Sequence, residues 1–148
     1  MPEAESGDAV QFLDLLLEFF GDGTHWTRGR YNDAQGRRCL VGAVDYLRRK
    51  HRIPSGEAVS FLREAMPRRG FGLVYFNDHR CRSVAELRSV IVKARALALG
   101  EAERERAASA VKRWLLAELE RERAAKEVAG DERSTHILCP RAPEQLAA

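Results

Sequence analysis

Three cysteines in 148 residues, Cys39, Cys81 and Cys139, are too few, too widely spaced and odd in number for a disulfide framework. Reduced thiols are therefore expected. No apolar run approaches the ~20 residues that would span a bilayer, so no membrane segment is expected. The opening MPEAESGDAV is acidic where a secretory leader would be basic, and a cytoplasmic protein is the expectation. There is no Gly-rich phosphate loop, dinucleotide fingerprint or Gly-x-Ser-x-Gly elbow. Gly70-Phe-Gly72 lacks the third glycine and the following helix. No internal repeat and no clear helix-turn-helix signature is present. These absences remove the commonest nucleotide-dependent and hydrolytic chemistries, and no cofactor is implied.

What is present is an ordinary apolar share of 45%, enough for a core in one domain that buries about two-thirds of its unfolded surface. The net charge of +3 conceals a segregation. Glu3, Glu5, Asp8, Asp14, Glu18 and Asp22 open the chain with no basic residue before Arg28. Residues 28–99 then carry sixteen Arg or Lys against six Asp or Glu. The middle either attracts an anionic partner or is neutralised by the acidic first helix. Solvated, mutually neutralising faces are the commoner outcome.

The periodicity predicts a mainly α protein. Val10, Leu13, Leu16, Leu17 and Phe20 recur at helical spacing over 8–20, with Asp8 placed to cap and Gly21 and Gly23 to stop. Residues 21–38 read as a loop, pinned to the core by Trp26 and Tyr31. A second helix runs from Cys39 to about His51, and Gly42 within it marks close approach of another helix or of Trp26. A third opens at Pro54-Ser55 and stops at Pro67. Residues 70–76 read as a short extended segment, and Asn77-Asp78 as a turn. Ser83-Val-Ala-Glu86 is a capping box opening a fourth helix that Gly100 closes. Residues 101–129 read as a long amphipathic helix with a stripe of Ala107, Val111, Trp114, Leu115 and Leu119, ended by Gly130. The organisation expected is a compact domain of about four helices over 8–99, a C-terminal helix over 101–129 and a tail over 130–148. The stripe is expected to fold back on its own subunit as far as Leu119, with self-association secondary.

Four short motifs occur in order: Trp26-Thr-Arg-Gly29, Cys39-Leu-Val-Gly42-Ala43, Phe76-Asn77-Asp78, and Arg82-Ser83-Val84-Ala85-Glu86-Leu87. This order resembles an uncharacterised family of small bacterial and phage helical proteins, over about residues 10–98. Phe76 departs from it, since the family more often has Trp there. The resemblance implies a compact helical domain. It carries over no activity and no catalytic residue.

Candidate chemistry centres on Asn77-Asp78. With His25, Trp26, Arg28 and Arg30 from the preceding loop it makes a candidate pocket, in which Asp78 acts as a general base or ligand contact. The competing reading makes Asp78 a buried strut between two loops, which buried carboxylates more often are. Cys39 follows Arg37-Arg38 at a helix start, where a thiol is acidified, but the residues after it are apolar and favour core packing. His79, Cys81, His136 and Cys139 could together hold zinc, yet their spacing is atypical and no metal site is assigned. Arg48, Arg49, Lys50, Arg52, Arg68, Arg69, Arg80 and Arg82 form a candidate basic patch. The leading expectation is a non-catalytic binding or regulatory module with a protein partner or a homodimer through the C-terminal helix. The alternatives are a small enzyme using the His25, Trp26 and Asp78 pocket, and nucleic-acid binding through the basic patch, which no motif supports.

Overall fold

The computed structural model describes residues 5–67 and 72–137, with side chains over 7–67 and 72–131. Among these residues the protein is mainly α: five helices and no strand, with two isolated bridges in the loop after the first helix. The chain divides into two units, Met1–Glu105 and Arg106–Ala148.

In the first unit the opening stripe becomes α1, Glu5–Phe20. It starts three residues before the expected Asp8, which lies in its first turn, where a carboxylate suits the positive end of the helix dipole. Phe12, Leu13, Leu16 and Phe20 are fully buried. Each such side chain contributes about 1.5–3 kcal/mol. Against α1 lie α2, Leu40–His51, and α3, Gly56–Ala65. They supply Leu40, Ala43, Leu47, Ala58 and Leu62 to the same core. Pro67 follows α3 as expected, but the Ser55 side chain makes no capping hydrogen bond.

The extended segment expected over 70–76 is corrected where it is described. Leu73–Tyr75 is a single helical turn, α4, which widens into a π-turn over Phe76–Arg80. The Phe76 N–H donates to the Gly72 carbonyl at 3.1 Å, and the Cys81 N–H to the Phe76 carbonyl at 3.0 Å. Leu73, Phe76 and Asn77 are the buried positions. That is helical spacing, and it outweighs the β-branched and aromatic composition.

The capping box forms at the start of α5, Val84–Ile137. The Glu86 N–H donates to Ser83 Oγ at 3.3 Å, and Glu86 Oε2 accepts from the Arg82 N–H at 2.7 Å. Leu87, Ile91, Ala94 and Ala98 complete the core of the first unit. Neither expected stop halts this helix: it runs through both Gly100 and Gly130. An interior glycine costs about 1 kcal/mol. The neighbouring Ala, Glu, Arg and Leu are strong helix formers, and no proline intervenes.

The second unit contains the rest of α5. The expectation that its stripe is covered within the subunit as far as Leu119 is corrected. Val111 is 57% exposed, Trp114 59%, Leu115 49%, Leu116 51% and Leu119 60%.

Gly42 is explained by neither a helix nor Trp26. The loop before α2 turns back so that the Tyr31 carbonyl accepts the Cys39 N–H at 3.2 Å. A Cβ on Gly42 would stand 2.2 Å from that carbonyl oxygen. Tyr31 itself is not buried. Its hydroxyl donates to Asp45 at 2.5 Å, anchoring the loop by a hydrogen bond rather than by packing. We expect Gly42→Ala to lower stability by about 3 kcal/mol, as overpacking against backbone does. A urea midpoint equal to that of the unmodified protein would show that the loop yields.

Candidate functional site

Asn77 is the one polar side chain fully buried among the described residues. The π-turn delivers it to the point where the 21–39 loop meets the start of α2. There its amide makes four hydrogen bonds. Oδ1 accepts from Trp26 Nε1 at 2.8 Å and from the Leu40 N–H at 3.1 Å. Nδ2 donates to the Thr27 carbonyl at 3.1 Å and to Asp78 Oδ1 at 2.7 Å. An amide has two lone pairs and two hydrogens, so the group is saturated. One of its partners is an otherwise orphaned N–H at a helix start.

Asp78 stands beside it, partly exposed. Its Oδ1 also accepts the Gly29 N–H at 2.8 Å, and its carbonyl accepts from the Arg28 guanidinium at 2.7 Å. Gly29 has φ +71°, a conformation that suits glycine and turns its N–H toward the carboxylate. The structure thus brings Trp26, Arg28, Asn77 and Asp78 together as a knot between two loops. Each polar atom named has a protein partner.

His25 and Arg30 do not join the knot. The His25 ring stacks on Phe19 with centroids 5.4 Å apart and lines a cavity of about 340 Å³ with Glu18, Tyr46, Lys50 and His51. Arg30 is exposed. The pairing of His25 with Asp78 that an acid–base site would require is not assembled. A second cavity, of about 380 Å³, lies between Met66, Phe76, Arg80, Glu86 and Val90. Its lining is mainly apolar. Sequence reasoning missed both cavities. Their walls combine residues from three or more elements with no local spacing.

The basic candidates are dispersed among other tasks. Arg48 and Arg49 both pair with Asp45, at 2.8 and 2.7 Å. The Tyr31 hydroxyl and the Arg48 guanidinium hold that carboxyl below the usual range. Lys50 lies 5.6 Å from the Tyr46 ring centroid, and Arg38 covers the same ring at 4.4 Å. Arg52 closes α2 in the left-handed region, φ 55°. Arg80 and Arg82 are exposed on the π-turn and the segment after it. Arg68 and Arg69 lie outside the described residues.

The two described thiols are buried. Cys39 is the N-cap of α2, its Sγ accepting from the Gly42 N–H at 3.4 Å. Cys81 is fully buried, and burial, followed by the Glu86 carboxylate, pushes its thiol up to about 12. The His79 ring lies tilted against that of Tyr75, with centroids 4.7 Å apart. Among the described residues no three metal-ligating side chains converge. Cys139 and the His136 side chain lie outside them.

This geometry ranks the two residues of the turn. Asn77→Ala should cost about 3 kcal/mol, because it strips partners from buried groups, and Asp78→Ala about 1–2 kcal/mol. Urea midpoints of the two variants check the order, and a larger loss at Asp78 would move the centre of the knot. In a Cys139→Ser background, neither remaining thiol should react with a thiol reagent at about pH 8 until the fold opens. The folded Cys81 value lies above the ordinary 9.0. Its contribution to stability is therefore complete below about pH 9 and lost as pH rises toward 12. Cys81→Ala should flatten that alkaline decline, and an unchanged slope would contradict the assignment.

No curated protein and no solved structure matches the chain. The model of a Family of unknown function (DUF6197) matches residues 11–97. That span runs from within α1 through most of the first-unit part of α5, with the whole Asn77 knot, and the chain belongs to this family.

Proposed function

We propose that this protein is a non-catalytic binding module that engages a protein partner through the apolar face of α5 beyond Arg106. The observation that carries the reading is the run Val111, Trp114, Leu115, Leu116 and Leu119, all about half exposed or more within nine residues. A helix in water gains little from propensity alone. An apolar face of this kind is stable when something covers it. Val, Trp and Leu anchors at i, i+3, i+4 and i+8 are how one helix presents itself to another protein surface. The candidate acid–base residues support the same reading, since Asp78 is engaged with Gly29 and Asn77 while His25 stacks on Phe19.

The free, buried thiols of Cys39 and Cys81 suit a reducing compartment. The order of the Trp-x-x-Gly, Cys-x-x-Gly-Ala and aromatic-Asn-Asp motifs resembles small bacterial and phage proteins. Both support a bacterial or phage protein of the cytoplasm. No helix among the described residues is long and apolar enough to cross a membrane.

The test is site-specific photo-crosslinking in cells. A photoreactive residue at Leu115 or Leu119 should give adducts with polypeptide, and one at Arg123 should not. Leu119→Asp, folded as the unmodified protein by circular dichroism, should remove the Leu115 adduct. Equal adducts at all three positions, or none at the stripe, would sink the reading.

A further inference from the structure

We propose that the occupant of the apolar face of α5 is a second copy of the chain, laid antiparallel across a two-fold axis close to Leu115. The inference rests on reading that face as a binding element, and it names the partner.

The face is short. Val111 to Leu119 spans about 12 Å of helix axis at 1.5 Å per residue. A two-fold arrangement uses every anchor twice, so a short stripe gains most from meeting itself. With the axis at Leu115, that residue meets its own copy, and Val111 lies level with the second copy's Leu119.

Charge decides the direction. Within the second unit Arg121 pairs with Glu118 and Arg123 with Glu127. Lys112 and Arg113 at one end of the stripe have no ion-pair partner among the described residues, nor do Glu120 and Glu122 at the other. Two of these four border the seam. Lys112 stands seven residues before Leu119, and Glu122 seven after Leu115, so each is in line with an anchor. A parallel pair would set Lys112 beside Lys112 and Glu122 beside Glu122. The antiparallel pair sets the basic end of each copy beside the acidic end of the other, twice over by symmetry. Pairs of this kind are weak individually and specify orientation more than affinity, as charges flanking a helix seam do. The apolar anchors supply the association.

The purified full chain should sediment as a reversible monomer–dimer system, and Leu115→Asp should be monomeric with unchanged helicity. Lys112→Glu alone and Glu122→Lys alone should each raise Kd by roughly tenfold at low salt, because each leaves like charges facing across the axis. Mixing the two variants should restore dimerisation, since the mixed pair again sets acid against base at both ends. A parallel pair would also gain from the mixture, but in it each single variant keeps like charge facing like, so a Kd unchanged by either single substitution marks a parallel pair and overturns the antiparallel one.

A mixture no tighter than its components overturns the antiparallel arrangement, and so does a dimer that survives Leu115→Asp. A chain that stays monomeric while a photoreactive residue at Leu115 still captures a different polypeptide overturns the second copy as occupant and leaves the binding module standing. A monomer with no adduct removes both.

Discussion

The buried amide of Asn77 is the interaction on which the placement of the long loop against α2 depends. One planar group satisfies the Trp26 indole, the first helical N–H of α2, a loop carbonyl and a neighbouring carboxylate. It therefore joins three pieces of chain that share no regular hydrogen-bonding ladder. The loop from Gly21 to Cys39 satisfies many backbone groups within itself, as between Thr27 and Arg38, but the Gly29 N–H and the Thr27 carbonyl take partners from elsewhere. The π-turn supplies them through side chains. The hydrophobic core can hold α1, α2 and α3 together without Asn77, but it cannot dictate where the loop lies.

That dependence explains why Gly29 and Gly42 sit where they do. Gly29 faces the Asp78 carboxylate with its N–H, and Gly42 leaves room for the Tyr31 carbonyl. Both permit close backbone approach, one through conformation and one through volume. The polar knot and the tight helix–loop contact lie at the two ends of a single job, which is fixing the loop against the N-terminus of α2.

Much of the fold is legible in the sequence. The α1 stripe, the Ser83–Glu86 box and the stop at Pro67 are local patterns whose physics acts over a turn or less. Legibility fails where a local signal competes with context. The segment before Asn77 reads as extended because Val, Tyr and Phe favour strands, yet Leu73, Phe76 and Asn77 have helical spacing. Gly100 and Gly130 read as stops, though a glycine's modest cost is easily offset by strong helix formers on both sides. At the candidate site the charge of Asp78 draws attention from Asn77, which is neutral but can both donate and accept and is thus better suited to a buried junction. The separation of His25 from Asp78 is not legible at all. It depends on which face of Phe19 the loop crosses, a matter of tertiary packing.

The π-turn also sets a limit on chain length. Its hydrogen bond spans five residues where an α-turn spans four, so it contains one residue more than the regular geometry would need. Removing any residue between Phe76 and Arg80 would tighten the turn to ordinary helix and rotate the downstream chain by about 100°, carrying the amide away from the indole while every individual residue type remained acceptable. Chain length in this segment is therefore under tighter constraint than chemistry. The exposed turn around Gly36 is the opposite case, because its hydrogen bonds run within Asp33–Arg37 and tie its length to no other element. A comparison of lengths across the family should show the two segments behaving differently: variable before α2, invariant between α4 and α5.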